Sequence, residues 1–276
     1  MTRIPLEDDF NDILSKAMSG LRLSDAELSR RTGVDAETIR GLARGILDET
    51  ALLRVAEPLG LEPQALLRSA MKLYYPRPVS VDGMEMFSTP YHSGMRVNAF
   101  LVWDPAGREG VIFDTGTDVF PLLDRIDEMS LKIQGLFLTH THPDHVAEAH
   151  QLTKRLGIPV RSNLQEPFEG AEVFGEWAKF RAGGISIEAR TTWGHSRGGT
   201  TYVISGLATP VAVVGDALFA GSMGGGMVSY VDALANNRQK VFTLPDETVL
   251  CPGHGPMTTL AEEKRNNPFY AAAFKG

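Results

Sequence analysis

The pattern of hydrophobic and polar positions changes character once along the chain. Residues 1–73 carry apolar side chains at helical spacing, with no alternating stretch that would predict a strand. A Tyr-Tyr-Pro-Arg-Pro run at residues 74–78 then breaks the helical period, because proline cannot continue a helix and restricts the residue before it. Strand-like apolar segments follow. The pattern therefore predicts an all-helical domain at residues 1–75 and a mixed α/β domain at residues 76–276.

Several predicted strands of the second domain are followed directly by histidine or aspartate. The later members of this set lie beside glycine, which places them in loops at strand ends. Side chains from several strand ends can converge on one point although they are distant in the sequence. The set contains five of the chain's seven histidines, and it comprises the motif Thr-His-Thr-His-Pro-Asp-His at residues 139–145, then His195, Asp216 and His254.

Imidazole nitrogens and carboxylate oxygens suit a borderline cation such as zinc, with iron and manganese as alternatives. His140 and His142 are two positions apart, so on an extended segment their side chains point the same way. Together with His195 they would form a three-histidine site with an open coordination position.

A second site would take its ligands from Asp144, His145 and His254, and Asp216 would place one carboxylate oxygen on each metal. Two adjacent divalent cations lower the pKa of a water between them enough to form hydroxide near neutral pH, and they polarise the bond under attack. We therefore predict a metal-dependent hydrolase with Asp144 and Asp216 as catalytic carboxylates. A purely structural site would need neither an open position nor a bridging carboxylate.

The chain from about residue 79 to residue 270 resembles the metallo-β-lactamase superfamily, whose His-x-His-x-Asp-His signature is followed by a distant His, an Asp and a final His. Every one of these positions is filled here. The resemblance implies an α/β fold of the αββα type, in which two mixed sheets are covered by helices and the metals lie at one edge. Members that reduce oxygen at a diiron centre place Glu where His142 stands, so that chemistry is disfavoured.

Three segments are similar to the glyoxalase II-like thioester hydrolases, at residues 194–199, 215–222 and 266–269. Thioesters are therefore the first predicted substrate class, while lactones, amides and phosphodiesters stay open. Glutathione specificity is a separate matter, because Arg197 replaces a proline of the first segment and glycines fill residues 224–226, where related enzymes often carry a basic residue. The sequence also ends without the further helical region that carries glutathione contacts in glyoxalase II.

Two other residues are candidates for roles beside the metals. Asp114 follows the predicted strand at residues 111–113, and the resemblance implies that it hydrogen-bonds a ligand histidine and fixes its tautomer. The alternative is an aspartate that only forms a turn. His92 precedes a predicted strand at residues 97–103, and it either lines the substrate pocket or is an ordinary loop histidine.

The composition is that of a globular protein, with 43% hydrophobic residues in 276. No apolar stretch approaches the ~18 residues of a membrane span, and the N-terminus lacks the basic-then-apolar pattern of a signal peptide. The single cysteine, Cys251, excludes an internal disulfide framework and fits a reducing compartment, so we predict a cytoplasmic protein.

The first domain contains two predicted helices joined by a tight turn. Ser24 is the expected N-cap of the earlier helix, with Glu27 three residues later completing a capping box, and Gly33 lies in the turn that ends it. The next helix is predicted at residues 35–45, and a fourth at residues 50–61. The domain resembles the λ-repressor or Cro type of helix-turn-helix, which inserts the second helix of the pair into the major groove of DNA.

Charge bears on whether this domain binds DNA. Arg40 and Arg44 are the candidate phosphate contacts, whereas Asp35 and Glu37 lie at the groove-facing end of the same helix. Residues 1–75 carry a net charge of −2 and the whole chain −7, while DNA-binding domains normally show a basic footprint. The domain would then serve homodimerisation or cover the hydrolase. The alternative is a transcriptional regulator whose metal domain senses or processes a small molecule.

Overall fold

The computed structural model describes residues 3–274, and its N-terminal part is helical. The five helices are α1 (Phe10–Gly20), α2 (Asp25–Thr32), α3 (Ala36–Ala43), α4 (Glu49–Ala56) and α5 (Pro63–Ala70). Local capping explains where α2 begins and ends. The Ser24 hydroxyl accepts from the amide of Glu27 at 3.2 Å, and Gly33 ends the helix with a φ of 68°, a left-handed conformation that glycine adopts without strain.

Two predicted details of these helices need correction. The fourth helix ends at Ala56 rather than at residue 61, and a single 3₁₀ turn with Pro58 near its start follows it. The capping box of α2 forms on one side only, because the Glu27 carboxylate accepts from Nε of Arg31 at 2.9 Å instead of from the N-cap amide.

Two six-stranded mixed sheets form the rest of the fold. The first consists of β1 (Met84–Pro90), β2 (Arg96–Trp103), β3 (Glu109–Phe113), β4 (Lys132–Phe137), β5 (Val160–Asn163) and β6 (Glu172–Phe174). The second consists of β7 (Lys179–Ala182), β8 (Ile185–Thr191), β9 (Thr200–Ser205), β10 (Val211–Gly215), β11 (Val249–Pro252) and β12 (Thr258–Thr259). Strands β3 to β6 pair in parallel, as do β10 and β11, and the other neighbours pair antiparallel.

Alternate side chains of the strands serve two different cores. Phe100 and Val102 of β2 share the cluster between the sheets with Tyr202 of β9, whereas Leu101 belongs to a cluster on the outer face. This period of two is expected of a strand that is buried on both sides. The outer face of the first sheet is covered by α6 (Phe120–Met129) and α8 (Ala149–Leu156). The predicted mixed α/β fold with two sheets is confirmed.

The outer face of the second sheet packs against the N-terminal helices. Val214 of β10 and Leu250 of β11 lie in one buried cluster with Ile13 of α1 and Leu52 of α4. Helices α9 (Tyr230–Asn236) and α10 (Leu260–Asn266) complete this layer. The helical region and the sheets therefore share a continuous core.

The segment between α5 and β1, in which the predicted boundary near residue 76 falls, is tied to the body of the protein. The Tyr74 hydroxyl donates to Oε1 of Glu263 at 2.8 Å, and the Tyr75 hydroxyl donates to the carbonyl of Ile4 at 2.6 Å. Glu263 is fully buried and also accepts from the amide of Gly221 at 3.0 Å. Burial raises the pKa of Glu263 to about 7, against the lowering effect of its hydrogen bonds. The buried carboxyl of Glu263 in α10 thus connects that helix to the segment between α5 and β1 and to the loop after β10.

The helices of the described residues are short. The longest helix described, α1, has 11 residues. Within residues 3–274 no helix is long and apolar enough to cross a membrane.

Candidate metal centre

The loop after β4 carries four of the candidate ligands. It leads from the end of the strand into the short helix α7 (Pro143–Val146), which has proline at its first position, where a missing amide hydrogen costs nothing. His140 and His142 therefore lie on the loop, and Asp144 and His145 lie on the helical turn that follows.

The first group of ligand atoms comes from three loops. His140, His142, His195 and Asp216 each offer one atom, and these atoms lie within 4.8 Å of one another. Nε2 of His195 is 3.1 Å from Nδ1 of His142 and 3.4 Å from Oδ2 of Asp216. Nε2 of His140 is 4.0 Å from the same carboxylate oxygen. Three imidazoles and a carboxylate thus surround one point.

The second group consists of Asp144, His145 and His254, whose ligand atoms also lie within 4.8 Å of one another. Nε2 of His254 is 3.3 Å from Oδ2 of Asp144. Asp216 adjoins this group as well, since its Oδ1 is 3.3 Å from Nε2 of His145 and its Oδ2 is 3.4 Å from Nε2 of His254. The Asp216 carboxylate therefore lies between the two groups and contacts histidines of both.

Three buried polar atoms at this point have no hydrogen-bond partner among the described residues: Nε2 of His140, Nε2 of His145 and Oδ1 of Asp216. Buried polar atoms are nearly always paired, so a cluster of orphans directed at one another indicates a bound cation. Burial lowers the pKa of His140, and the charge of His145 lowers it further. Burial alone would raise the pKa of Asp216, but His254 and His145 hold it well below its usual range. The donor set fits divalent metal ions.

Hydrogen bonds to the far ring nitrogens orient three of the histidines. Nδ1 of His145 is 2.8 Å from Oδ2 of Asp114, Nδ1 of His254 is 2.7 Å from the carbonyl of Arg96, and Nδ1 of His195 is 3.0 Å from the carbonyl of Gly225. Each contact directs Nε2 of its ring towards the cluster. The two carbonyl acceptors left no signal in the sequence, because any residue type supplies a carbonyl.

Asp114 contacts the loop after β4 as well as a candidate ligand histidine. Its Oδ1 accepts from the amide of Thr139 at 2.7 Å and its Oδ2 from the Thr139 hydroxyl at 2.7 Å, besides its contact with His145. Its φ of 54° also places it in the left-handed region, where aspartate is tolerated better than most residues. The carboxylate thus holds both the loop after β4 and a histidine ring.

Two glycines permit the close approach of the loops. An added Cβ at Gly253 would lie 2.2 Å from Oδ1 of Asp216, and one at Gly224 would lie 1.9 Å from the carbonyl of Asp216. Neither position admits a side chain. At Gly224 the backbone lies too close to Asp216 and His195 for any side chain, so this position has no room for the basic residue of related enzymes.

Glu166 is a residue that sequence reasoning missed. Its Oε1 accepts from the amide of Thr141 at 2.8 Å and from the Thr141 hydroxyl at 2.7 Å, while its Oε2 accepts from the amide of Gly198 at 2.7 Å. It therefore clamps the loop of His140 and His142 to the loop of His195. A single glutamate in a loop after β5 carries no pattern that would have singled it out.

A cleft of about 530 Å³ opens beside the His195 loop. Trp193, Leu164 and Val228 contribute apolar wall, and Arg197 contributes an exposed guanidinium that makes no hydrogen bond or ion pair within residues 3–274. The position at which this chain departs from the glyoxalase II-like pattern thus lines a cleft beside the loop that carries His195.

Three predicted residues lie away from the two ligand groups. His92 is exposed in a 3₁₀ turn between β1 and β2, with its ring 4.5 Å from that of Tyr91. Arg40 and Arg44 are exposed on α3, and both bind the carboxylate of Glu37, at 2.7 and 3.0 Å. The two candidate phosphate contacts thus have an acidic partner within the protein.

Comparisons with known proteins cover most strands of the two sheets and all the candidate ligands. The family model described as the metallo-beta-lactamase superfamily matches residues 93–254. The hydroxyacylglutathione hydrolase GloC of Haemophilus influenzae is 31% identical over 197 residues, which are 62% of this chain and 92% of that protein. The probable metallo-hydrolase YqgX of Bacillus subtilis is 28% identical over 196 residues, 62% of this chain and 90% of that protein.

Solved structures agree with this match. The crystal structure of ETHE1 from Myxococcus xanthus superposes with a TM-score of 0.60 at 26% identity, covering 68% of this chain and 85% of that one. TTHA1623 in a di-iron-bound form superposes with a TM-score of 0.53 at 26% identity, covering 71% of this chain and all of that one. Since the family model takes in every candidate metal ligand from His140 to His254 and more than half of the chain, the protein belongs to the metallo-beta-lactamase superfamily.

Proposed function

We propose that the protein is a hydrolase that works with two divalent transition-metal ions on a small-molecule thioester. The observation that carries the proposal is the pair of ligand groups joined through Asp216, with buried and unpartnered Nε2 and Oδ1 atoms turned towards each other. Zinc is the first expectation from the nitrogen and oxygen donors, and iron and manganese accept the same donors.

The metal ions and the two carboxylates would have different roles in hydrolysis. When bound, two such ions lower the pKa of the water between them and polarise the carbonyl that is attacked. Asp216 holds the groups at a fixed separation through its two carboxylate oxygens. Asp144 orients the attacking water. Burial opposes ionisation of Asp144, but the hydrogen bond from His254 lowers its pKa, so it is an acceptor at neutral pH.

Support for a thioester comes from the chain's relatives and from the cleft. The Haemophilus relative is named a hydroxyacylglutathione hydrolase, and the segments around His195 and Asp216 are similar to the glyoxalase II-like thioester hydrolases. The cleft beside His195 offers an apolar wall with a cation at its margin. Such a surface suits an acyl or thiol chain that ends in a polar group.

A substrate comparison tests this proposal. On metal-loaded protein we expect short acyl thioesters to be hydrolysed faster than a lactone or an aryl phosphodiester, with release of the thiol followed by a colorimetric reagent. Hydrolysis of the phosphodiester alone would exclude the thioester preference. Turnover of none of the three would favour a protein that senses its ligand.

A DNA-binding regulator is the second candidate, and the α2–α3 pair favours it. The two helices are joined through the left-handed Gly33, and Asp35 caps α3 by accepting from the amide of Glu37 at 2.9 Å. Two short helices joined by a tight glycine turn support this candidate. The acidic partner of Arg40 and Arg44 argues against strong phosphate binding. We therefore place the structural role of the helical region first.

If α3 meets DNA, Glu37→Gln should strengthen non-specific duplex binding several-fold, because it removes a repulsive charge and frees two guanidinium groups. The salt dependence should steepen by roughly one charge, and Arg40→Ala should have the opposite effect. Gel shifts at several salt concentrations measure both, with the exposed Glu49 of α4 as control in Glu49→Gln. No binding by any of these proteins at low salt would leave the helical region with a structural role, and tight, sequence-selective binding by the native chain would overturn that preference.

A further inference from the structure

The N-terminal extension packs against the loop that carries the candidate ligand His254. The relatives described above match 62% to 71% of this chain, and the family model begins only at residue 93. The first residues of the extension nevertheless lie on the loop of His254. A Cβ added at Gly255 would be 3.3 Å from the amide nitrogen of Glu7, 3.7 Å from its Cβ and 3.6 Å from the carbonyl of Pro5. The backbone at residues 5–7 thus runs directly beside a metal-ligand loop.

This stretch is anchored to a second ligand loop as well. Asp8 is buried, and its Oδ2 accepts from the hydroxyl of Ser222 at 2.5 Å and from the ammonium of Lys16. Lys16 also donates to the carbonyl of Met223 at 2.9 Å. Ser222 and Met223 belong to the loop that follows Asp216. Glu7 is therefore held between the loops that carry His254 and Asp216.

The side chain of Glu7 has no visible structural purpose in this position. It is partly buried, and within the described part of the chain its carboxylate makes no hydrogen bond or ion pair. Burial raises the pKa of Glu7 to about 7, and Asp8 and Asp216 add to the rise while His254 opposes it. A partly desolvated carboxyl without a partner is costly unless something else supplies one.

We propose that Glu7 is a substrate-selecting residue of the metal centre, supplied by the N-terminal extension. Its carboxylate favours ligands that carry an ammonium or another hydrogen-bond donor near the metal-binding atom, and it disfavours ligands that carry an anion there. The physical reason is that a partly buried charge between the loops of His254 and Asp216 acts through an effective dielectric well below that of water. The proposal rests on the proposed hydrolase function for its biological meaning, whereas ligand preference can be measured without turnover.

The direct test uses two small thiols of similar length and opposite charge, cysteamine and 3-mercaptopropionate. Thiolates bind divalent transition metals, so both probes bring their charged end close to the centre. Titration calorimetry on metal-loaded full-length protein, run above pH 7 because burial raises the pKa of Glu7 to about 7, should show tighter binding of cysteamine. Glu7→Gln keeps the shape of the side chain and removes its charge. In this variant the ratio of the 3-mercaptopropionate Kd to the cysteamine Kd should fall by about tenfold. Glu7→Asp should restore most of the native ratio.

Metal content and a matched control separate this role from others. Glu49→Gln removes an exposed carboxylate of α4 and should leave the ratio unchanged. Elemental analysis of Glu7→Gln should give the native metal content. An unchanged Kd ratio in Glu7→Gln would overturn the proposal, as would loss of a metal, because Glu7 would then be a ligand.

Turnover distinguishes this proposal from the hydrolase proposal. A β-alanyl thioester should be hydrolysed faster than the succinyl thioester of the same thiol, and Glu7→Gln should narrow that difference. If no thioester is turned over but the thiol ratio still depends on Glu7, the hydrolase proposal fails and the selecting role stands. If thioesters are turned over with the same charge preference in both proteins, the hydrolase proposal stands and the selecting role fails.

Discussion

Asp216→Ala is expected to reduce hydrolysis by about a thousandfold or more and to deplete metal from both ligand groups. The reason is that this carboxylate lies close to histidines of both ligand groups, namely His145 and His254 of the second group and His195 of the first. Its loss would remove the carboxylate that both ligand groups share and leave Asp144 as the remaining carboxylate for two cations, and a contribution of several kcal/mol is typical of such charge stabilisation. Elemental analysis and initial rates on the metal-supplemented variant measure both effects.

Single-group variants give the comparison. His195→Ala should lower the metal content of the first group and His254→Ala that of the second, each by about one equivalent from a native value near two. Asp127→Ala, at an exposed position of α6, should change neither metal content nor rate. A native protein with one equivalent of metal, unchanged in Asp216→Ala, would contradict the dinuclear assignment.

Removal of residues 1–75 is expected to destabilise the remaining chain strongly rather than to release an intact hydrolase. The truncation would expose Val214 and Leu250 on the outer face of the second sheet and Tyr230 of α9, which now lie in a cluster with the N-terminal helices. Each large apolar side chain that is uncovered costs about 1.5–3 kcal/mol, so a few of them match the whole stability of an ordinary domain. Thermal unfolding and light scattering should show a Tm lower by about 10 °C or more, or aggregation.

A pair of point variants tests the same junction in the full-length chain. Gly20→Ala should lower Tm by several degrees, because the new Cβ would lie 2.2 Å from the ring of Tyr230. Gly41→Ala is the matched control: it is also a helical glycine, but its Cβ would meet nothing closer than 3.9 Å, so it should be neutral or slightly stabilising. A truncated protein that unfolds at the native temperature would instead describe an independent module on a tether.

Much of the fold could be predicted from the sequence because buried side chains recur at the period of a helix or a strand. Residues 97–103 are apolar at every position that the structure buries on either face of β2, apart from Asn98, whose side chain donates to the carbonyls of Pro252 and Gly255 at 2.9 Å each. The change from helical spacing to strands near residue 76 likewise reflects where helices end and sheets begin. Helix ends were less predictable, as at Ala56, where proline stops the α-helix before its apolar pattern fades.

The candidate ligands were visible in the sequence because metal chemistry demands rare residue types in a fixed order. Histidine and aspartate at strand ends have few other reasons to recur, and the structure brings all seven to one place. Cys251, in contrast, lies within the apolar strand β11 and is fully buried, with its sulfur 3.5 Å from the sulfur of Met84. By itself, the sequence therefore determined the family, the mixed two-sheet architecture and the residues gathered at the centre.

Tertiary structure alone decided what surrounds that centre. The carbonyls of Arg96 and Gly225 orient ligand histidines, yet every residue has a carbonyl, so no side-chain pattern marks them. Glu166 and Glu7 are ordinary acidic residues in loops, and their positions depend on contacts with residues that are distant in the chain. The same holds for the docking of the N-terminal helices, because an amphipathic helix shows which of its faces is buried but not which surface buries it.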